Sequence, residues 1–408
     1  MKPSIQIIIV VVLLSWAACI CHAASAEQTA LRAAVTVALH TVPTTQPAAG
    51  LSTPGVQALF YDGPEYQHKP ARVFAWYGFP SDIKPGTKVP AMVLIHGGGG
   101  TAFAQWVVKW NKLGYAAIAM DTCGCVPIGA DNHWQRDERG GQGGPPGWGG
   151  FDQIDQPVRD QWTYHAVLDV ILAHSLIRSW PQVDADRVGV TGISWGGYLT
   201  CIVAGLDNRF RFACPVYGCG FLGEDSGWLG DFKNLGLEKS TRWLAAWDPS
   251  EYLPAAKMPM LWVDGTNDRW YPPDSLSKSY HLPRGTHTLV MRVAMKHSHS
   301  DGWAPEEIAT FADSICKGGV PLAKITSQHT TGNATAATYE SSSPIIKAEL
   351  NFTTDHGEWM KRKWQIQPAD LSATETTVQA TLPDGLTAYY INLIDSRGRI
   401  VSTDINIP

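Results

Sequence analysis

The chain is short of charge. Only 17% of its 408 residues are Asp, Glu, Lys or Arg, and 32 basic against 37 acidic residues leave a formal charge of −5. No basic stripe offers a surface to polyanions, so no nucleic acid is expected as a partner. No internal repeat runs along it, which excludes solenoids and repeat arrays. Cysteine is also sparse. Cys123-Gly124-Cys125 is too tight for an ordinary bridge and lacks the spacing of a zinc site. With Cys201, Cys214, Cys219 and Cys316 these read either as buried small hydrophobes or as pairs formed in an oxidising compartment. Cys214 and Cys219 would close the shortest plausible loop.

What is present begins with an address. Lys2 precedes an apolar run from Ile5 to Ile20, followed by Ala23-Ala24-Ser25-Ala26. That order is a charged start, an apolar stretch and an A-x-A cleavage site, cut after Ala26 or Ala23. The run is short for a membrane span and ends in small residues, so the protein is expected to be secreted or periplasmic, with no membrane attachment after cleavage.

Residues 27–55, rich in Ala, Thr and Pro, read as a leader or linker. Alternating strands and helices follow. Apolar strands are predicted at 91–95, 115–120, 187–191, 212–216, 259–263 and 288–293, with helices near 104–113, 197–205 and 305–316. Tyr164, Val167, Leu168 and Ile171 mark the apolar face of a further helix. This alternation predicts an α/β domain over 56–320, a mostly parallel sheet with helices on both faces. Residues 321–343 read as a second linker. Strand-like runs at 345–352, 359–365, 377–382, 389–394 and 400–405 predict a small immunoglobulin-like β-sandwich over 344–408.

The chemistry concentrates in Gly192-Ile193-Ser194-Trp195-Gly196, a G-x-S-x-G pentapeptide with a strand before it and a helix after it. Small glycines let strand and helix approach, and the serine is held on a strained turn with its hydroxyl exposed. A serine hydroxyl needs a base, and the base needs an orienting carboxylate. In parallel-sheet hydrolases these follow in the order Ser, acid, His, each after a strand. Past Val263 stand Asp264 and Asp268. Asp268 is favoured because the Gly265-Thr266-Asn267 turn lifts it off the strand end, leaving Asp264 to cap the turn. Past Val293 stand His297 and His299, of which His297, nearer the strand, is preferred. His297-Ser298-His299-Ser300-Asp301 also has the look of a metal-binding H-x-H-x-D pattern, but no histidine follows Asp301 and no further cluster is evident, so no metal and no cofactor are expected. The oxyanion is expected to be held by the backbone N–H of Trp195 and one from the Gly97–Gly99 stretch, centred on Gly98. That stretch lacks the Lys and Ser/Thr of a phosphate loop.

These residues carry a resemblance. The segment from Val183 to Gly197, with Gly265-Thr266-Asn267-Asp268 and the late histidine, is similar to the α/β-hydrolase superfamily, in the branch holding prolyl oligopeptidase-type, dienelactone hydrolase and acetyl xylan esterase-type domains. The resemblance implies Ser194, Asp268 and a histidine, placed at His297, as the catalytic residues. No β-propeller precedes the core, which argues against an oligopeptidase that gates peptides. The expected function is therefore a serine esterase acting on acylated carbohydrate, such as acetylated xylan, or another small ester. A prolyl oligopeptidase-type peptidase and a non-catalytic binding module stand as alternatives. Trp134, Trp148, Trp195, Trp270 and Trp303 fall on loops at the triad end of the sheet, where indoles either stack on sugars or simply pack.

Overall fold

Apolar, β-branched runs build the centre of one large sheet. The computed structural model describes residues 25–408 other than 129–134, 138–142, 149 and 373. The expected cleavage region and Trp134 therefore lie largely or wholly outside the described residues. The first strands are β1 (Thr45–Pro47), β2 (Gln57–Asp62), β3 (Arg72–Gly78), β4 (Val89–Ile95) and β5 (Ala116–Met120), and a two-stranded ribbon of β6 (Val126–Ile128) and β7 (Gln135–Asp137) follows. Next come β8 (Val183–Ile193), β9 (Phe212–Val216), β10 (Met260–Gly265) and β11 (His287–Arg292). The order β5-β4-β8-β9-β10-β11 is parallel throughout, whereas β1, β2 and β3 extend it antiparallel at one end. Val93 lies beside Val190 and Ile95 beside Gly192, so the chain leaving β4 and the serine leaving β8 emerge side by side. That common carboxyl edge is where ligands bind in sheets of this kind.

The helices are α1 (Ala26–Ala38), α2 (Ala104–Lys112), α3 (Trp162–Ser179), α4 (Trp195–Leu206), α5 (Leu222–Asp225), α6 (Leu229–Leu235), α7 (Leu237–Trp247), α8 (Pro273–Tyr280), α9 (His299–Trp303) and α10 (Glu306–Cys316). Helix α3 departs from the single apolar face that its spacing predicts, because every residue from Trp162 to Ile177 is buried. A helix covered all round needs a second layer outside it. Helix α1 supplies that layer. Leu31 and Val35 are buried, and Ser175 Oγ on α3 donates to the Ala38 carbonyl at 2.9 Å. Residues 27–55 are thus part of the packed body, contrary to the linker reading, because without α1 the outer face of α3 would meet water.

The C-terminal region is a sandwich, but its limits differ from expectation. Residues 321–343 are no linker: they hold β12 (Lys324–Thr331) and β13 (Ala334–Glu340). These join β17 (Thr377–Thr381) and β16 (Asp370–Leu371) in a four-stranded sheet. In Ala334–Glu340 the residues Thr335, Ala337 and Tyr339 are buried and their neighbours are not, the period of a strand, which Ser/Thr/Ala composition alone conceals. The facing strands are β14 (Ile345–Thr353), β15 (Gln365–Pro368), β18 (Ala388–Asp395) and β19 (Ile400–Ser402). Tyr339, Leu350, Phe352, Val378, Ile391 and Leu393 fill the space between the sheets. The strand expected over 359–365 is instead a short 3-10 turn, Trp359–Lys361, with the strand starting at Gln365. Strand β19 pairs with β11 at Leu289–Ser402, so the hydrolase sheet continues into the sandwich as one sheet, of 13 strands among the described residues. Met291 N donates to Ser402 Oγ at 2.8 Å and Asn392 Nδ2 to the Met291 carbonyl at 3.2 Å, closing that seam.

Cys201, Cys214, Cys219 and Cys316 are buried and unbridged, so the Cys214–Cys219 pairing does not form. Burial raises the Cys214 and Cys219 thiols well above their ordinary pKa, which leaves them as small apolar side chains.

Candidate active site

Ser194 sits between β8 and α4 at φ 59° and ψ −118°, a backbone state that a side chain normally avoids. Its surroundings force it. Ser194 N donates to the Val216 carbonyl at 2.9 Å, and the helix begins at once with Tyr198 N on the Ser194 carbonyl. A Cβ at Gly192 would stand 2.1 Å from the Gly196 carbonyl oxygen, and one at Gly196 would stand 2.1 Å from that of Ile95. Only glycine fits at either position, which is why the pentapeptide has this form.

The structure brings three predicted residues into one line. His297 Nε2 lies 2.8 Å from Ser194 Oγ, and His297 Nδ1 lies 2.5 Å from Asp268 Oδ2. Asp268 is buried, and its other oxygen accepts the Trp270 and Tyr271 amides at 2.7 and 2.9 Å. Its carboxylate is thereby fixed with one oxygen aimed at the imidazole. Ser194 remains half-buried and open to an incoming carbonyl. Thr266 Oγ1 accepts the Ala294 amide at 3.1 Å, which ties the loop bearing the acid to the loop bearing the base.

Asp264 does not reach the histidine. Its Oδ1 accepts the Gly265 amide at 2.7 Å and its Oδ2 has no partner among the described residues. Burial first, and the neighbouring Asp268 second, push its pKa well above the ordinary carboxylate value. His299 faces another way as well. Its Nε2 accepts the Gly97 amide at 2.8 Å and its ring lies 4.9 Å from that of Phe103. Asp301 meets Ser298, which caps α9. The H-x-H-x-D side chains therefore diverge and do not share one point.

The Gly97 amide is taken by His299, while the Gly98 and Trp195 amides have no acceptor among the described residues. Both stand beside Ser194, Gly98 close enough that a Cβ would press on the Trp195 indole at 2.6 Å. His96 shapes this loop: its Nδ1 meets the Gly97 carbonyl at 2.8 Å and its Nε2 accepts the Thr122 amide at 3.0 Å.

Residues 50–224 match the family of acetyl xylan esterases (AXE1), and residues 152–313 match the prolyl oligopeptidase family. Together they span the loop after β4, the serine elbow, the acid and the base. The chain is an α/β-hydrolase of the acetyl xylan esterase and prolyl oligopeptidase branch. The two family matches support a serine hydrolase.

Two solved structures share the hydrolase's fold over most of their own length. The acetyl xylan esterase from Paenibacillus sp. R4 superposes with a TM-score of 0.56 at 22% identity, covering 71% of this chain and 95% of that one. Acetyl xylan esterase 1 from Thermoanaerobacterium sp. gives 0.51 at 20% identity, covering 66% and 88%. Among curated relatives, dipeptidyl-peptidase 5 of Porphyromonas gingivalis is 28% identical over 185 residues, 43% of this chain and 22% of that protein. The uncharacterized peptidase YuxL of Bacillus subtilis is 30% identical over 146 residues, 35% of this chain and 19% of that one. The matched segment of the hydrolase thus spans about a fifth of these relatives.

Of the two readings of the loop tryptophans, packing is what their ring contacts show. Trp195 is buried, stacked on Trp148 at 4.9 Å and packed against Trp162 and Trp228. Trp303 lies against Phe103 and Trp106. Trp270 is partly exposed, with Trp228 on one side and the Arg269 guanidinium over its ring. Trp148, Trp270 and Trp303 are half-buried, each with part of its ring against other aromatics and part open. Two tyrosines that no motif marks flank the base. The Tyr217 ring lies 4.6 Å from that of His297, with its hydroxyl donating to the Lys296 carbonyl at 2.7 Å, and Tyr271 stacks at 6.3 Å. Only the fold brings them there, since Tyr217 leaves β9 and Tyr271 follows the acid.

Proposed function

We propose that this hydrolase cleaves carboxylic esters, deacetylating polysaccharide such as xylan, through Ser194, His297 and Asp268. The line Ser194–His297–Asp268 carries the reading, with its 2.8 and 2.5 Å contacts. His297 Nε2 takes the proton from Ser194 Oγ as the oxygen attacks the ester carbonyl. The tetrahedral oxyanion is met by the Gly98 and Trp195 amides, the second at the positive end of α4. Collapse expels the alcohol, which receives the proton from His297 and leaves an acyl-serine. Water activated by the same imidazole then releases the acid and restores Ser194.

The esterase choice is supported by the AXE1 match and by two acetyl xylan esterase structures whose fold corresponds over 95% and 88% of their own length. The prolyl oligopeptidase match and the peptidases among the curated relatives favour a second reading, a serine peptidase. Turnover of p-nitrophenyl acetate and acetylated xylan, with proline-containing peptide anilides untouched, is the expected outcome. The reverse preference would overturn the ester reading. A non-catalytic module would take no fluorophosphonate label at Ser194. Export belongs to the same proposal. Ser25 caps α1 by accepting the Gln28 amide, so cleavage after Ala23 keeps the cap and cleavage after Ala26 removes it. Mass spectrometry of the mature N-terminus distinguishes the two sites, and a protein retained with Met1 would contradict both.

A further inference from the structure

Away from the active site, three side chains from the two parts of the molecule converge. His281 ends α8, His287 opens β11, and Asp404 follows β19 in the sandwich. Their donor atoms all lie within 4.8 Å of one another. His281 Nε2 is 3.7 Å from Asp404 Oδ2, and His287 Nε2 is 3.5 Å from Asp404 Oδ1. Both separations exceed a good N–H···O hydrogen bond. They are close to the spacing of atoms that share one tetrahedral ion, about 3.3 Å for bonds of about 2.0 Å.

We infer that His281, His287 and Asp404 bind one zinc-class divalent cation that fastens the sandwich to the hydrolase domain. The ligand set decides the class. Two imidazole nitrogens and one carboxylate suit a borderline metal, whereas magnesium and calcium take sets made of oxygen. The donors are already held. The Tyr280 ring packs on both imidazoles, at 4.4 and 5.1 Å, and its hydroxyl accepts the Ile405 amide at 3.1 Å. Gln328 Nε2 donates to the Asp404 carbonyl at 3.3 Å, and Asn406 is bridged to Tyr389 by paired backbone bonds of 2.9 and 3.0 Å. Such outer contacts orient ligands before the ion arrives. Among the described residues the two imidazoles are the ion-pair partners of Asp404, so no lysine or arginine occupies the position. His281 is about half exposed, its side chain at 49% of full accessibility, which leaves an entry path and room for water as a fourth ligand.

Calorimetric titration of the full chain, stripped with a chelator and dialysed, tests the site with zinc sulfate as the probe. One zinc per chain is expected, with magnesium giving no heat of binding. At zinc a hundredfold above Kd the melting temperature should rise by about 3 °C. His281→Gln, His287→Gln and Asp404→Asn should each weaken zinc by at least tenfold. None of the three touches Ser194, so fluorophosphonate labelling should persist and reports folding. Absence of zinc binding, or unchanged affinity in the two glutamine variants, overturns the inference. If a variant fails to fold, diethyl pyrocarbonate modification of the wild type decides. Zinc should protect His281 and His287, read by peptide mass spectrometry, and equal modification with and without zinc rejects the site.

Discussion

Ser194 holds a positive φ of 59° in a non-glycine residue, a state that costs on the order of 1–3 kcal/mol. The strain aims Oγ at His297, so activity and stability are set against each other at one residue. Ser194→Ala should lose about 10⁴-fold or more in kcat. Ser194→Gly should be equally inactive yet more stable by about 1 kcal/mol in urea unfolding, and a destabilised glycine variant would mean the turn is relaxed. The flanking pairs separate roles. His297→Ala should be as damaging as Ser194→Ala. His299→Ala strands the Gly97 amide beside the oxyanion loop, and kcat should fall on the order of tenfold. Asp268→Asn should lose about 10⁴-fold by leaving the imidazole in the wrong tautomer. Asp264→Asn changes a carboxyl that meets the Gly265 amide and not His297, and should stay within a few-fold of wild type; the opposite ranking of the two aspartates would move the acid to Asp264.

The loop after β10 depends on a partner outside its own domain. Asn267 Nδ2, between Thr266 and Asp268, donates to the Arg362 carbonyl at 2.7 Å and to that of Trp359 at 3.1 Å. These carbonyls belong to the Trp359–Lys361 turn and its C-cap, Arg362. The sandwich therefore holds the loop carrying Asp268, the proposed acid. Asn267→Ala should cost about 1–3 kcal/mol of stability and lower kcat on the order of tenfold, with KM little changed, because the acid shifts while the binding surface stays. Wild-type kcat in that variant would show the contact to be only structural.

Buried ionisable groups set how the molecule as a whole answers acid. Helix α3 carries His165 and Asp169 one turn apart, both buried. Burial lowers the His165 pKa to about 4; its Nε2 bonds the Arg159 carbonyl at 2.6 Å and its Nδ1 has no partner among the described residues. An unfolded histidine titrates near 6.5, so between about 6.5 and 4 the unfolded chain takes up a proton that the native state refuses. Stability present above pH 6.5 is lost on acidification, by up to about 3 kcal/mol. Asp169 acts in the other direction. Burial, then Asp121, raise its pKa well above the ordinary value, so its stabilising contribution exists at low pH and disappears as pH rises past the unfolded carboxylate range. Wild-type stability mixes the two, and paired variants separate them. His165→Gln should gain on wild type as pH falls from 6.5 to 4.5, and Asp169→Asn should gain as pH rises from 4 to 7. Urea unfolding at each pH measures both, and a pH-independent difference would mean that the replaced group titrates normally in the fold.

That Ser194, Asp268 and His297 would meet was legible in the chain because each obeys a local rule. The serine needs glycines where strand meets helix, and the acid and base follow apolar strands in a set order. The parallel core was legible for the same reason, since buried strands are continuous apolar runs. Composition failed where burial comes from a distant partner. The Ala/Thr-rich leader forms a helix only because α3 needs an outer cover, and the Thr/Ser/Ala stretch forms strands because the sandwich offers a facing sheet. Tyr217, Tyr271, Asn267 and the His281–His287–Asp404 cluster carry no sequence signal, for their partners lie on other elements. A side chain's first neighbours along the chain set its backbone state, but its charge, exposure and contacts are set by what the sheet order brings across to it.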